Sequence, residues 1–369
     1  MAGIELGVYV HFPWCRKVCP YCDFAVEVGP PEHAAYLRAI LSELDARAAG
    51  FAGHDLVSIY FGGGTPSLWE PDCLAQVIAA VRARFPGRAG EITLEANPTD
   101  CDAEHLVAWR TAGVNRLSIG VQSLAPDELV VLGRDHRFGD GTAALARVLA
   151  DGGFAASCDF ILGTPTSRAY DTSWVDTIAS TPVDHLSVYE LTIEERTAFG
   201  QRVKAGRLVP RDDDTLADLY IAAHDALTTR GFEHYEISSY ARPGKRAIHN
   251  SLYWRCAPFL GLGVGAASLE LRADGGAVRA TNPRRAAAYL AAPGTPADLM
   301  TSTAAELAIE RAWLGMRTCD GVAEDALPGA VVTWLLSEGL ADRRDARICP
   351  TLRGFLMADR IAARIAGAL

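Results

Sequence analysis

The stretch Tyr9-Val10-His11-Phe12-Pro13-Trp14-Cys15-Arg16-Lys17-Val18-Cys19-Pro20-Tyr21-Cys22-Asp23-Phe24 decides how this chain is read, because it sets three thiols in a short loop leaving an apolar run. Three is the informative count. A structural zinc site or a fully ligated iron–sulfur cluster takes four protein ligands, whereas a [4Fe–4S] cluster held by three leaves one iron open to a substrate. Binding to iron also keeps neighbouring sulfurs deprotonated together. The competing reading is a zinc knuckle, completed by His11 or by a distant cysteine.

The rest of the chain supplies the setting for that loop. With 369 residues it exceeds the usual one-domain size, so one large domain with a smaller appendage is expected. Its 35 basic and 45 acidic residues give a net charge of −10, which argues against binding nucleic acid through the phosphate backbone. No apolar run is long enough to span a membrane, and the N-terminus enters a strand without a signal-peptide pattern, so a cytoplasmic location is expected. Of nine cysteines, Cys73, Cys101, Cys158, Cys256, Cys319 and Cys349 are scattered, as expected of small core residues in a reducing compartment.

Short β-branched runs recur at 7–12, 56–61, 91–95, 116–121, 154–162 and 185–191, each separated from the next by helical spacing. That repeat predicts an α/β fold whose six parallel strands curl into an incomplete (β/α)6 barrel. Residues 1–200 are read as the barrel and 201–300 as its extension. Residues 301–369 are read as a small, mainly helical, winged-helix-like domain with a β-wing near 340–351.

In such barrels chemistry gathers at the C-terminal strand ends. The cysteine loop follows the first strand, Gly62-Gly63-Gly64-Thr65-Pro66 follows the second, and Glu95, Gln122, Asp159 and Glu190 sit at or near later strand ends. A glycine run there lets backbone approach a ligand without Cβ interference. Glu95, Gln122, Arg134 and Asp159 supply polar partners for hydroxyl, amino or carboxylate groups. Farther on, His249-Asn250-Ser251-Leu252-Tyr253-Trp254 joins an imidazole to amphipathic aromatics on an expected loop; such a set can ligate haem iron and pack on a porphyrin face, but a lone histidine near aromatics is more often simply hydrogen-bonded.

Taken together, these motifs resemble the branch of radical S-adenosylmethionine (SAM) proteins related to the oxygen-independent coproporphyrinogen III dehydrogenase HemN, and within it the HemW-like haem chaperones. The resemblance covers roughly residues 7 to 360 and includes the C-x3-C-x2-C spacing. It implies that Cys15, Cys19 and Cys22 hold a [4Fe–4S] cluster, whose electron cleaves SAM to an adenosyl radical. It further implies that Tyr9, Tyr21, Gly63, Gly64, Thr65, Glu95, Gln122, Arg134, Asp159, Thr192 and Ala267 surround SAM, and that His249, Asn250, Tyr253 and Trp254 contact haem.

The function so implied is haem binding and transfer to an acceptor protein, with a flavodoxin or ferredoxin as electron donor. A HemN-like radical SAM methyltransferase is the enzymatic alternative. Phe24 stands where the dehydrogenase carries a further cysteine, which disfavours coproporphyrinogen decarboxylation, and Ala267 stands where HemW-like sequences often carry histidine.

Overall fold

A computed structural model describes residues 3–167 and 171–368. Six parallel strands, Glu5–Phe12, Asp55–Gly63, Gly87–Ala96, Arg116–Gln122, Ala155–Leu162 and His185–Glu190, lie side by side in chain order within a twelve-stranded sheet. Helices connect them, among them His33–Arg47, Pro71–Arg84, Ala103–Ala112 and Asp140–Asp151. This is the α/β partial barrel that the repeat predicts.

Alternation explains the curl. Residues facing the helices, such as Val8, Val10, Ile59, Phe61, Leu94, Leu117, Ile119, Ala156 and Leu186, are buried in one continuous apolar core. Residues facing the lumen are mostly polar: Ser58 pairs in register with Glu91, Glu95 with Ser118, Ser118 with Ser157, and Asp159 with Ser187. A parallel strand buried on both sides ordinarily reads as one hydrophobic run. Here the period of two divides a greasy outside from a lumen built to hold polar groups.

Chain beyond residue 200 reaches both edges of the sheet. A short antiparallel pair, Glu233–Glu236 and Ser239–Ala241, joins the sixth strand, whereas Phe259–Gly263 runs parallel to the first and leads into the antiparallel strands Ala267–Leu271, Ala277–Thr281 and, at the edge, Asp298–Ser302. Residues 304–366 form helices around a three-stranded wing, in which Arg347–Pro350 lies between Val322–Ala323 and Ala341–Arg344. Their core, centred on Met316, Leu335, Ile348 and Ile361, is separate from that of the barrel.

The segment carrying His249 corrects the expected loop: Ile248–Trp254 is a two-turn helix. Its start is organised from a distance, because the Glu91 carboxylate accepts the backbone N–H groups of Ile248 and His249, each at 2.9 Å. A carboxylate at a helix N-terminus satisfies orphan donors and complements the helix dipole. The helix packs against the second strand, under the N-terminal end of the barrel.

Candidate functional site

The cysteine loop lies across the opposite end of the barrel. Trp14–Cys15 pairs in parallel with Glu27–Val28, the Glu27 N–H donates to the Pro13 carbonyl, and that of Cys22 donates to Cys19, so the loop is pinned at both ends and in its middle. All three thiols are free and half-buried at the edge of a cavity of about 430 Å³. Burial pushes the Cys15 thiol up to about 11 and raises that of Cys22. The Thr65 hydroxyl donates to Cys15 Sγ at 3.4 Å and the Arg134 guanidinium to Cys19 Sγ at 3.7 Å. Such hydrogen bonds favour thiolate over thiol and tune a metal-bound sulfur.

The donor set separates the two readings of the cysteines. Among the described residues no three His, Cys, Asp or Glu side chains converge as ligands of a single metal ion. His11 is committed elsewhere: Nδ1 meets the Tyr9 hydroxyl at 3.0 Å and Nε2 the Ala25 carbonyl at 2.9 Å, and burial drives its pKa down to about 4. It is no fourth ligand. Three thiols spread along a cavity rim suit a cube-shaped cluster, in which each sulfur takes a different iron.

Of the residues expected around SAM, Tyr21, Gly63, Gly64, Thr65, Glu95, Gln122, Arg134, Asp159 and Thr192 line this one cavity. Tyr9 lies one layer beneath, stacked on Tyr60 with ring centroids 6.1 Å apart. Ala267 does not line the cavity; it sits in the strand between Phe259–Gly263 and Ala277–Thr281, paired with Thr281. The cavity floor carries two carboxyls. Tyr60 donates to Glu95 Oε1 at 2.7 Å and Gly63 N–H to Oε2 at 3.2 Å, yet burial, aided by the negative charge of Asp159, pushes Glu95 up to about 7. Burial likewise raises Asp159 to about 6, although Ser118 donates to both its oxygens at 3.0 Å.

Arg134, half-buried, donates to the Asn97 amide oxygen at 2.7 Å and to the Gly120 carbonyl at 3.3 Å, while its Nε has no partner among the described residues. Gln122 is held at φ 66°, a left-handed backbone that a non-glycine residue adopts at a cost of order 1 kcal/mol or more. The glycine run has a cause besides the one expected. Gly63 needs its φ of +113°, and a Cβ there would lie 2.5 Å from the His11 ring; a Cβ on Gly64 would lie 2.6 Å from the Pro13 carbonyl. The protein's own packing already demands glycine. Sequence reasoning missed Tyr60 and Ser118, whose signal was their place in the inward-facing alternation.

The histidine motif lies away from this cavity and divides between two faces of its helix. His249 is buried, with Nδ1 on the Ser58 hydroxyl and Nε2 on the Tyr253 hydroxyl, both at 2.9 Å, and burial lowers its pKa to about 3. Asn250 is half-buried on the first turn. Trp254 faces a second cavity, toward the C-terminal helices.

Similarity to known proteins matches this geometry. The radical SAM superfamily model matches residues 9–168. The chain is 39% identical over 292 residues to the heme chaperone HemW of Escherichia coli, covering 77% of this chain and 75% of that one. It is 34% identical over 380 residues to HemW of Mycobacterium tuberculosis, covering 100% and 96%. A mouse protein, radical S-adenosyl methionine domain-containing protein 1, mitochondrial, is 39% identical over 272 residues, covering 72% and 61%. Among solved structures, E. coli coproporphyrinogen III oxidase (HemN), described as a radical SAM enzyme, superposes with a TM-score of 0.79 at 22% identity, over 100% of this chain and 91% of that one. With the partial barrel, the three-thiol rim and whole-length relatives in agreement, this chain belongs to the HemW family of the radical SAM superfamily.

Proposed function

We propose that this protein binds haem and hands it to an acceptor protein in the cytosol, carrying a [4Fe–4S] cluster and SAM at the mouth of its barrel. The observation that carries the reading is the three-thiol rim beside a cavity with two raised carboxyls, in a chain whose HemW relatives extend over its whole length. Cys15, Cys19 and Cys22 would hold the cluster, with Thr65 and Arg134 donating to two of the sulfurs. In this reading Glu95 and Asp159 would receive the amino and hydroxyl groups of SAM, with Arg134 offsetting the charge of Asp159. The cavity volume is within the range of small-ligand sites. Once bound, the cluster supplies a single electron to SAM, delivered to it by a flavodoxin or ferredoxin.

Phe24, 64% exposed, stands where the dehydrogenase has a further cysteine, and a phenyl ring supplies no thiol there, which disfavours porphyrinogen decarboxylation. The test is anaerobic reconstitution of the cluster followed by haem titration. A saturable Soret band at micromolar haem is expected, and its absence with the cluster both present and absent would overturn the reading. S-adenosylhomocysteine appearing together with 5′-deoxyadenosine would point instead to a methyltransferase.

A further inference from the structure

A second cavity, of about 620 Å³, opens between the outer face of the Ile248–Trp254 helix, the helix Ala304–Gly315 and the wing. Its walls carry four arginines, Arg246, Arg255, Arg311 and Arg347, against one carboxylate, Asp320. In a chain of net charge −10 this is a local reversal of sign. Three of the arginines are engaged: Arg246 with Asp320 at 2.8 Å and with Glu233, Arg255 with Glu5 at 2.7 Å, and Arg347 with the carbonyls of Asp320 and Gly321 at 2.8 and 2.7 Å. Arg311 has no acceptor among the described residues. Trp254 adds a flat ring, with the Arg317 guanidinium 5.8 Å from its centroid, and its buried indole N–H has no hydrogen-bond partner among the described residues. A cavity of this size that offers an aromatic wall and the exposed, unpaired guanidinium of Arg311 fits a flat ligand edged with carboxylates.

We propose that this cavity seats the carboxylate edge of a tetrapyrrole, with Arg311 and its neighbours taking the propionates and Trp254 packing on the macrocycle. The proposal deepens the haem-binding reading and rests on it. It gives the two halves of the histidine motif different work: His249 faces the barrel lumen with both nitrogens bonded, and Trp254 faces the ligand. Guanidinium forks match carboxylates in a bidentate way, so esterifying the propionates removes both the charge and the acceptors that the arginines recognise.

The test uses the reconstituted full chain. Protoporphyrin IX and its dimethyl ester are titrated by fluorescence and haem by its Soret band, with wild type, Arg311→Glu and Arg88→Glu; Arg88 is an exposed arginine at the start of the third barrel strand. Expected are at least tenfold weaker binding of the free acid by Arg311→Glu, less than twofold change by Arg88→Glu, and ester binding that is weak in wild type and indifferent to Arg311→Glu. Equal affinity of wild type for acid and ester, or haem affinity within twofold in Arg311→Glu, would overturn the carboxylate seat while leaving haem binding intact. Equal loss in Arg88→Glu would also overturn it, by making the effect one of net charge. No saturable haem binding by wild type would remove the haem reading itself. The ester comparison requires no substitution, so the proposal stays testable whether or not the variant folds.

Discussion

Glu95→Gln should make the cofactor-free protein more stable as the pH rises. The folded chain holds this carboxyl at about 7 against an ordinary value of 4.5, so it keeps its proton where the unfolded chain has released it. A raised carboxyl therefore costs stability as pH climbs from 4.5 toward 7, and the cost levels off above that. Each pH unit is worth about 1.4 kcal/mol, so the full penalty approaches ~3 kcal/mol, and about 2.5 kcal/mol of it develops between pH 5 and 8. Glutamine cannot ionise. Its amide oxygen keeps the bond from Tyr60, while its NH2 group faces the Gly63 N–H, a pH-independent cost of about 1 kcal/mol. The pH-dependent part of the difference is thus the readout. Urea unfolding of the reduced, cluster-free chain at pH 5, 6, 7 and 8 should show Glu95→Gln gaining on wild type by about 2.5 kcal/mol across that range. A difference constant to within about 0.5 kcal/mol would mean that Glu95 is hydrated and unperturbed, and the argument from burial would fail. The same variant should bind SAM more weakly, because it gives up the acceptor charge.

Cys15→Ala, Cys19→Ala or Cys22→Ala should abolish the broad absorbance near roughly 400 nm after reconstitution, because two ligands leave two irons open, whereas Cys73→Ala, at a core position, should not. Full iron and sulfide content in Cys19→Ala would contradict the assignment. His249→Ala should destabilise the chain by about 3 kcal/mol, the cost of a buried void and two stranded hydroxyls. A loss below about 1 kcal/mol by urea unfolding would show that the imidazole carries little of the barrel floor, and any effect of this variant on haem is read only where the fold persists.

The barrel was legible because each of its strands carries its own pattern. Glu5–Phe12, Asp55–Gly63 and Arg116–Gln122 show the alternation and β-branching of strands that face a core on one side, and the glycine and polar residues at their ends mark the mouth. The wing expected near 340–351 is formed by Ala341–Arg344 and Arg347–Pro350, with Val322–Ala323 beside them. The helix at His249 was not. Its N-terminus is completed by Glu91, more than 150 residues earlier in the chain, and no local window contains that carboxylate.

At the site, residue types were readable while their causes were not always so. Gly63 was read as room for a ligand, but its backbone angle and the nearby His11 ring already exclude a side chain. Cys319 was expected in the core and instead lies half-exposed, with its sulfur 3.1 Å from the Arg246 guanidinium. Tyr60 was passed over because a tyrosine within an apolar strand reads as core until the register with Tyr9 sets it facing the lumen.

The two-turn helix Ile248–Trp254 also limits how this segment can vary in length. His249 and Tyr253, four residues apart, face the lumen, while Ser251, Trp254 and Arg255 border the arginine cavity. Each residue added to or removed from a helix rotates everything after it by about 100°. One insertion between Ile248 and Trp254 would therefore carry the tryptophan off its wall and bring a lumen residue toward it. Single substitutions on either face affect one compartment at a time, but an insertion or deletion disrupts both at once. Variation in length should be confined to the flanking turns, where the chain can take up the change before the helix begins or after it ends.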